Sequence, residues 1–460
     1  MNIFCIFQCI TKFLSKVYYH NKILKQYLTE HVMLNDEGYY TFPEHFRGFS
    51  SGSGKELDGT ANIVIGLVRL WQRIDNTHPV KAEIEHFLSC PQSPVWYIIK
   101  KLQVSPFIEG TGEFGGGWGV DGEWYNTMQN AMLRQMMLAC AEFFESVHEP
   151  NLSAELKGCS ERLFKNMLEL MKDESTGGWT WTLDPKTLRP DEEALNGQFV
   201  HGTAAINGIG AVYADAEGLE MRLWEGYDRT LKTLKASFAM PNRKQLFEKY
   251  GMCAFVESDR PEFLPSNASW LSYCDCYAMQ TMLLCDKYEF LDRMFSWITA
   301  STYMDGSADE DFIHAVAQGT AEVDFTAPPR TFWFQERNFA PDYTGIRDIG
   351  CGKLNLVNVA EPMKLARLMI GIDDSNNIVK LIPRLPDFWD SFEAKHWAVN
   401  TPDGPVYVNI SYHKKIGGTC SVALEIEEGK ILKHIVVRFQ SGIKKEFYTL
   451  SGYNTFNEAT

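Results

Sequence analysis

Apolar residues recur at helical spacing along most of the chain and at alternate positions towards its C-terminus. Ile63, Leu67, Leu70, Trp71 and Ile74 mark one helical face. Met128, Met132, Met136, Cys140, Phe143 and Val147 mark a second, and Leu163, Met167, Leu170 and Met171 a third;. Several of these stretches are apolar around much of the helix, as expected of inner helices packed on both sides. Ser93-Pro94 reads as a cap followed by a first-turn proline, and Glu149-Pro150-Asn151 separates two helices;. Residues 196–215 carry Gly197, Gly202, Gly208 and Gly210 and are expected to be helical, with close helix approach at the glycines;.

After Asn376 the period shortens to two. Ile378–Ile382, Glu393–Val399, Val406–Tyr412, Cys420–Ile426, Ile435–Phe439 and Lys445–Leu450 are β-rich runs divided by Pro-Asp-Gly, Lys-Ile-Gly-Gly and Glu-Glu-Gly turns;. The expected fold is therefore mainly α with a C-terminal all-β domain: a helical toroid over residues 1–376 that carries the chemistry, and a small antiparallel β-sandwich over 377–460.

Links between helices alternate in length. Short ones are expected near Asn76–His78, Glu149–Asn151, Asp215–Gly218 and Asp286–Tyr288, and long ones near Asp36–Asp58, Ser105–Glu123, Ser175–Gln198, Met240–Ser269 and Gly319–Lys353. In a ring of helical hairpins the long links gather at one end, where their tryptophans and carboxylates would form an aromatic, acidic bowl.

Composition narrows the partners. The 460 residues carry a formal charge of −15, with a sequence pI near 5.3. That balance argues against nucleic acid and against an anionic membrane surface. No apolar run reaches the ~20 residues needed to span a bilayer. The N-terminal apolar stretch lacks the basic start and small-residue cleavage site of a signal peptide, so a cytoplasmic location is expected. The 11 cysteines form no CxxC pair, and Cys140, Cys159, Cys253 and Cys285 sit in apolar helical stretches, which points to buried free thiols;. No metal and no cofactor is required. The Asp305–Asp311 run and Asp373-Asp374 lack the ligand order of a calcium loop and are read as caps and solvated turns. The oligomeric state is not legible.

The segment Gly110-Thr-Gly-Glu113-Phe-Gly-Gly-Gly-Trp118-Gly-Val-Asp121-Gly-Glu123-Trp124 is the richest in chemistry. Its glycines permit tight turns, its carboxylates can transfer protons, and its indoles offer flat faces to a sugar ring. Thr331-Phe-Trp333-Phe-Gln-Glu336-Arg337 places another carboxylate between aromatic neighbours and an arginine. Against indole a carboxyl is raised and suits an acid; beside arginine it stays ionised and suits a base, and both options remain open here. Glycoside cleavage needs two carboxyl groups, about 5 Å apart for retention or about 6.5–9.5 Å apart for inversion. Trp181, within Gly177-Gly178-Trp179-Thr-Trp181, together with His201, Glu257 and Trp270, would line sugar subsites.

On these residues the chain resembles glycoside hydrolases with an (α/α)6 barrel, and in layout the α-L-rhamnosidase group. Glu113 precedes Gly117-Trp118-Gly-Val-Asp121 as an acidic residue precedes a similar stretch in that group. Phe334-Gln-Glu336-Arg337, then a last helix, Gly371-Ile-Asp-Asp and Lys380-Leu-Ile-Pro-Arg-Leu-Pro follow the same order. The resemblance implies Glu113 as general acid, Asp121 as its assistant or a hydroxyl ligand, and Glu336 as the base that activates water in an inverting reaction on a carbohydrate. Glu113 stands one residue further from the tryptophan than that group's acid, which keeps Glu123 and Asp121 open for the role. Trp118, Glu123, Trp124, Trp333 and Arg337 would bind the substrate. Alternatives from other classes are a polysaccharide lyase on the same toroid, a terpenoid cyclase suggested by the Gly-Gly-Trp repeats, and a catalytically silent carbohydrate-binding protein.

Overall fold

The computed structural model describes residues 32–42, 57–74, 76–110, 125–180, 182–190, 226–239, 255–257, 268–270, 279–285, 287, 291–293, 295, 365, 367–374, 378–386, 389–401, 403–414, 419–439 and 441–458. They form helices followed by a strand-rich C-terminal region. A short hairpin, β1 (Met33–Leu34) and β2 (Tyr40–Thr41), leads in. Helices α1 (Leu57–Arg73), α2 (Pro79–Ser89), α3 (Pro94–Val104), α4 (Thr127–Ser146), α5 (Pro150–Leu170) and α6 (Tyr227–Ala239) follow, with β3 (Tyr125–Asn126) ahead of α4 and β4 (Thr182–Leu183) after α5.

Sequence signals account for the helix ends. Ser93 caps α3 by accepting from the Val95 N–H at 3.3 Å, with Pro94 in the first turn, where its missing N–H costs nothing;. His78 does the same for α2 ahead of Pro79. Pro150 starts α5 three residues after Val147, the cap of α4. The short links at Asn76–His78 and Glu149–Asn151 are where expected. A further short break at Cys90–Ser93 divides α2 from α3, so alternation in link length does not hold there.

Helix α4 is the hub of the described helices, packing against α1, α3 and α5. Its buried residues cover most of the circumference, from Met128, Leu133, Met136 and Met137 to Cys140, Phe143 and Phe144, leaving Arg134, Leu138 and Glu142 on a less buried stripe. In α5 burial is confined to one stripe: Ser153, Leu156, Cys159, Ser160, Leu163, Phe164 and Met167;. The Cys140 thiol is fully buried, and loss of hydration pushes its pKa up to about 12, so it stays protonated and inert;. Cys90, Cys159, Cys285 and Cys420 are likewise buried. No helix among the described residues is long and apolar enough to cross a membrane.

The C-terminal region is a sandwich of two four-stranded sheets. Its strands are β7 (Ile372–Asp373), β8 (Val379–Leu381), β9 (Ser391–Thr401), β10 (Gly404–Lys414), β11 (Cys420–Ile426), β12 (Leu432–Arg438), β13 (Lys444–Leu450) and β14 (Tyr453–Asn457). One sheet runs β14-β11-β10-β9 and the other β13-β12-β8-β7. Pairing is antiparallel except between β8 and β12, which run parallel, so the expected wholly antiparallel sandwich is corrected at that pair. Strand β7 adds a pair ahead of Asn376, and β14 is a strand the alternation did not predict. Val406, Val408, Ile410 and Tyr412 of β10 fill the core with Val422 and Leu424 of β11 and Ile435 and Val437 of β12.

The helices join the sandwich at a glycine. Gly371 stands at φ +71°, and an added Cβ would lie 1.8 Å from the Ile382 carbonyl oxygen, so only glycine turns the chain there;. Tyr412, buried in the sandwich, donates its hydroxyl to the Ile370 carbonyl just before that turn. The buried Arg384 donates Nε to the Leu283 carbonyl at 2.9 Å, and Trp389 stacks on both Phe295 and Phe392. The two apolar cores therefore meet across polar and aromatic contacts rather than through an extended linker.

Candidate functional site

The described residues supply the anchorage of the chemistry-bearing segments. Strand β3 pairs with β4 antiparallel, Tyr125 opposite Leu183 and Asn126 opposite Thr182. This brings the residue after Trp124 beside the strand that follows Trp181. Asn126 then caps α4, its Oδ1 accepting from the Gln129 N–H at 2.9 Å;. Thr127 donates Oγ1 to the Thr180 carbonyl at 2.6 Å.

Asn130, fully buried, makes the densest contact. Its Oδ1 accepts from the Ile108 N–H at 2.9 Å, while Nδ2 donates to the carbonyls of Ile108 at 3.1 Å and Asn126 at 2.9 Å. One side-chain amide thus behaves like a strand neighbour for Ile108, on the path into the glycine-rich segment. Gln129 accepts from the Leu57 N–H at 3.3 Å and ties the start of α1 to the same place. A methyl on Gly110 would sit 2.2 Å from both amide atoms of Gln129, so this glycine is needed for close approach;. Ser105 and Tyr125 share a hydrogen bond of 2.7 Å, and Asn166 donates to the Pro106 carbonyl at 3.0 Å. Both ends of the 111–124 segment are held by buried, bonded polar groups, each costing about 1–3 kcal/mol if its partner is removed. The frame is built of amides and hydroxyls, so it fixes backbone without adding charge.

A neighbouring hairpin accounts for one of the Gly-Gly-Trp repeats by packing. Gly177 takes φ +71°, and Gly178 lies against Thr233, whose Oγ1 would be 2.5 Å from an added Cβ. Trp179 is fully buried, donating its indole N–H to Thr230 Oγ1 at 3.0 Å and its backbone N–H to Thr233 Oγ1 at 2.8 Å. The Arg229 guanidinium lies 4.6 Å from the indole centroid and donates to the Met167 and Leu168 carbonyls, closing the end of α5;. Burial lowers the Arg229 pKa below its ordinary value. Trp179 is packing, not a sugar platform.

Of the sequence-predicted site residues, Glu257 and Trp270 fall on described backbone. They lie on a two-stranded ribbon, β5 (Phe255–Glu257) with β6 (Ala268–Trp270), registered Phe255 to Trp270 and Glu257 to Ala268. Period-two alternation places positions 257 and 270 on one face of that ribbon, on a diagonal. Glu113, Trp118, Asp121, Glu123, Trp124, Trp181, His201, Trp333, Glu336 and Arg337 lie outside the described residues, as do the expected helix over 196–215 and the Asp305–Asp311 run. Asp373-Asp374 is not a solvated turn. Asp373 is in β7 and pairs with Lys380 at 3.6 Å, and the buried Asp374 accepts from the backbone and side-chain N–H groups of Asn400, each at 2.9 Å. Among the described residues no three His, Cys, Asp or Glu side chains gather as metal ligands would.

Sequence reading missed the anchors Asn126, Gln129 and Asn130. Their signal was present: three amides at the start of a helix whose later positions are mostly apolar.

No protein-family model matches the chain, and none of the curated proteins does. Solved structures similar to it include a GH78 family rhamnosidase of Bacillus sp. GL1, at 12% identity and TM-score 0.39 over 85% of this chain and 32% of that one. An alpha-L-rhamnosidase from Dictyoglumus thermophilum aligns at 10% identity and TM-score 0.47 over 91% of this chain and 41% of that one. A putative kojibiose phosphorylase from the human microbiome aligns at 11% identity and TM-score 0.35, over 87% and 44%. The chain spans less than half the length of each. At these scores the functional reading rests on the chain's own residues.

Proposed function

We propose that this chain is a glycoside hydrolase acting on a neutral carbohydrate by acid/base catalysis with two carboxylates. The reading assigns Glu113 as general acid and Asp121 as its assistant, with Glu336 activating the attacking water, an inverting arrangement. An α-L-rhamnoside is the first substrate to try, on the sequence resemblance alone. The supporting observation is the anchorage of the segment that carries Glu113, Trp118, Asp121, Glu123 and Trp124: Asn130 holds its entrance, where Gln129 packs against Gly110, and Asn126 with β4 holds its exit. Catalytic carboxyls need such support, because displacement by about 1 Å costs on the order of 100-fold in rate.

The test is turnover of a panel of aryl glycosides, α-L-rhamnoside included, by the wild-type protein, Glu113→Gln and Glu336→Gln. Cleavage of one sugar, reduced at least 1,000-fold by both substitutions with sugar binding retained, is the expected result, on the order of what loss of an essential acid or base produces. Undiminished turnover in Glu336→Gln removes it as the base. Saturable sugar binding with no turnover across the panel would leave a binding protein in place of an enzyme.

A further inference from the structure

The sandwich carries a second surface with saccharide-recognition chemistry, remote in sequence from every residue assigned above. On the outer face of the β14-β11-β10-β9 sheet, the register sets Asn409 opposite Glu425 and Glu425 opposite Tyr453. Tyr407 precedes Asn409 by two residues on the same face. A strip thus crosses three strands in the order aromatic ring, carboxamide, carboxylate, aromatic ring. Its middle is preset: Asn409 donates Nδ2 to Glu425 Oε2 at 2.8 Å. One end is reinforced by His396, whose ring stacks on Tyr407 at 4.1 Å and 3°. His396 sits at φ +55° in an irregularity of the β9–β10 ladder, held there by Asn409 Oδ1, which accepts its N–H at 2.8 Å;. The other end is open, with Tyr453 71% exposed. On the side of the strip away from Tyr407 the outward positions are small, Ser411 opposite Ala423, and beside Tyr407 lies Glu427, whose Oε1 accepts from the Tyr407 backbone N–H at 3.0 Å.

We propose that this strip binds a neutral, extended oligosaccharide as an ancillary site. Two strand spacings of ~4.8 Å and one two-residue step of ~6.8 Å put the Tyr407 and Tyr453 positions roughly 12 Å apart, about two pyranose units. Rings at that separation stack on alternate sugars, while the Asn409–Glu425 pair meets the hydroxyls of the sugar between them. Glu393 and Glu425 on this face, with the chain's charge of −15, exclude uronate chains and select neutral ones;.

The experiment is calorimetric titration of the full chain with cellohexaose, mannohexaose and polygalacturonate, on wild type, Tyr453→Ala and Tyr407→Ala, with aryl-glycoside turnover measured in parallel. The proposal expects saturable binding of a neutral hexaose, at least tenfold weaker in Tyr453→Ala with unchanged melting temperature, and none of polygalacturonate. Tyr453 is exposed enough that its loss spares the fold, which covers the case in which Tyr407→Ala fails to fold. No saturation by either hexaose, or binding that Tyr453→Ala leaves intact, overturns the proposal. So does self-association in sedimentation that Tyr453→Ala abolishes, since a second copy then covers the face. Turnover is read separately, so failure of the hydrolase reading leaves the result interpretable.

Discussion

The sandwich and the helices around α4 bury polar groups in different ways, and the contrast shows where each part keeps its specificity. Sandwich strands are built on alternation: Val406, Val408, Ile410 and Tyr412 go inward while Tyr407, Asn409, Ser411 and His413 go out. Its buried polar groups lie where it meets the helices, as with Arg384, or at strand ends, as with Asp374. Helix α4 instead places Asn126, Gln129 and Asn130 inside the protein: Asn126 caps the helix itself, while Gln129 and Asn130 are each spent on a backbone group from another segment. Apolar alternation fixes a sheet by area, with little regard to which neighbour supplies it. Buried amides fix particular loop positions, and so they gather where loop geometry has to be held.

The largest effect tests the joint between the two parts. Gly371→Ala forces a Cβ into the Ile382 carbonyl at a positive φ, and the combined strain and overpacking is expected to cost about 2–4 kcal/mol in urea unfolding;. A cost below about 1 kcal/mol would mean that the turn relaxes freely and the parts are loosely joined. Next is the contrast itself. Asn130→Ala removes three buried hydrogen bonds and is expected to cost about 2–3 kcal/mol, whereas Tyr412→Phe removes one from the sandwich and is expected to cost about 1 kcal/mol;. If the anchorage serves catalysis, Asn130→Ala also lowers kcat/KM at temperatures where it is fully folded, and Tyr412→Phe does not.

The smallest effect is a pH dependence. Hydrogen bonds from Lys101 at 2.5 Å and Lys100 at 3.0 Å hold the Glu37 carboxyl below its ordinary value. A depressed carboxylate stabilises the fold above its unfolded pKa and loses that contribution as pH falls through the folded value, so Glu37→Gln should flatten the acid side of the stability profile. With Glu37's side chain 33% exposed, solvent screening keeps the difference to a few tenths of a kcal/mol, about that of a surface pair;. A flattening of several kcal/mol would contradict that placement.

Much of the fold was legible because it follows local periods. Cys420–Ile426 appears at its expected bounds, and the helix starts at Pro94 and Pro150 follow their signals. Strand β14 was missed because Tyr453-Asn-Thr-Phe456-Asn offers one buried apolar side chain, too few to show a period. The parallel β8–β12 pair is a non-local choice that no window of sequence contains. At the site, aromatic and acidic composition was legible and its support was not: Asn130 fits a helical period without revealing that its partner is Ile108. Trp179 is a second case: its place beside two glycines is plain in the sequence, but not that Thr230 and Thr233 take its donors.

The buried cysteines make this architecture self-reporting. Cys90, Cys140, Cys159 and Cys285 are sequestered among the helices and Cys420 in the sandwich, so none can react with an alkylating reagent until the layer around it opens. Pulse labelling during unfolding, read peptide by peptide, therefore timestamps the two layers in one experiment with no introduced probe. The order in which Cys420 and Cys140 acquire label reveals whether the Gly371 joint makes them a single cooperative unit or lets one survive the other.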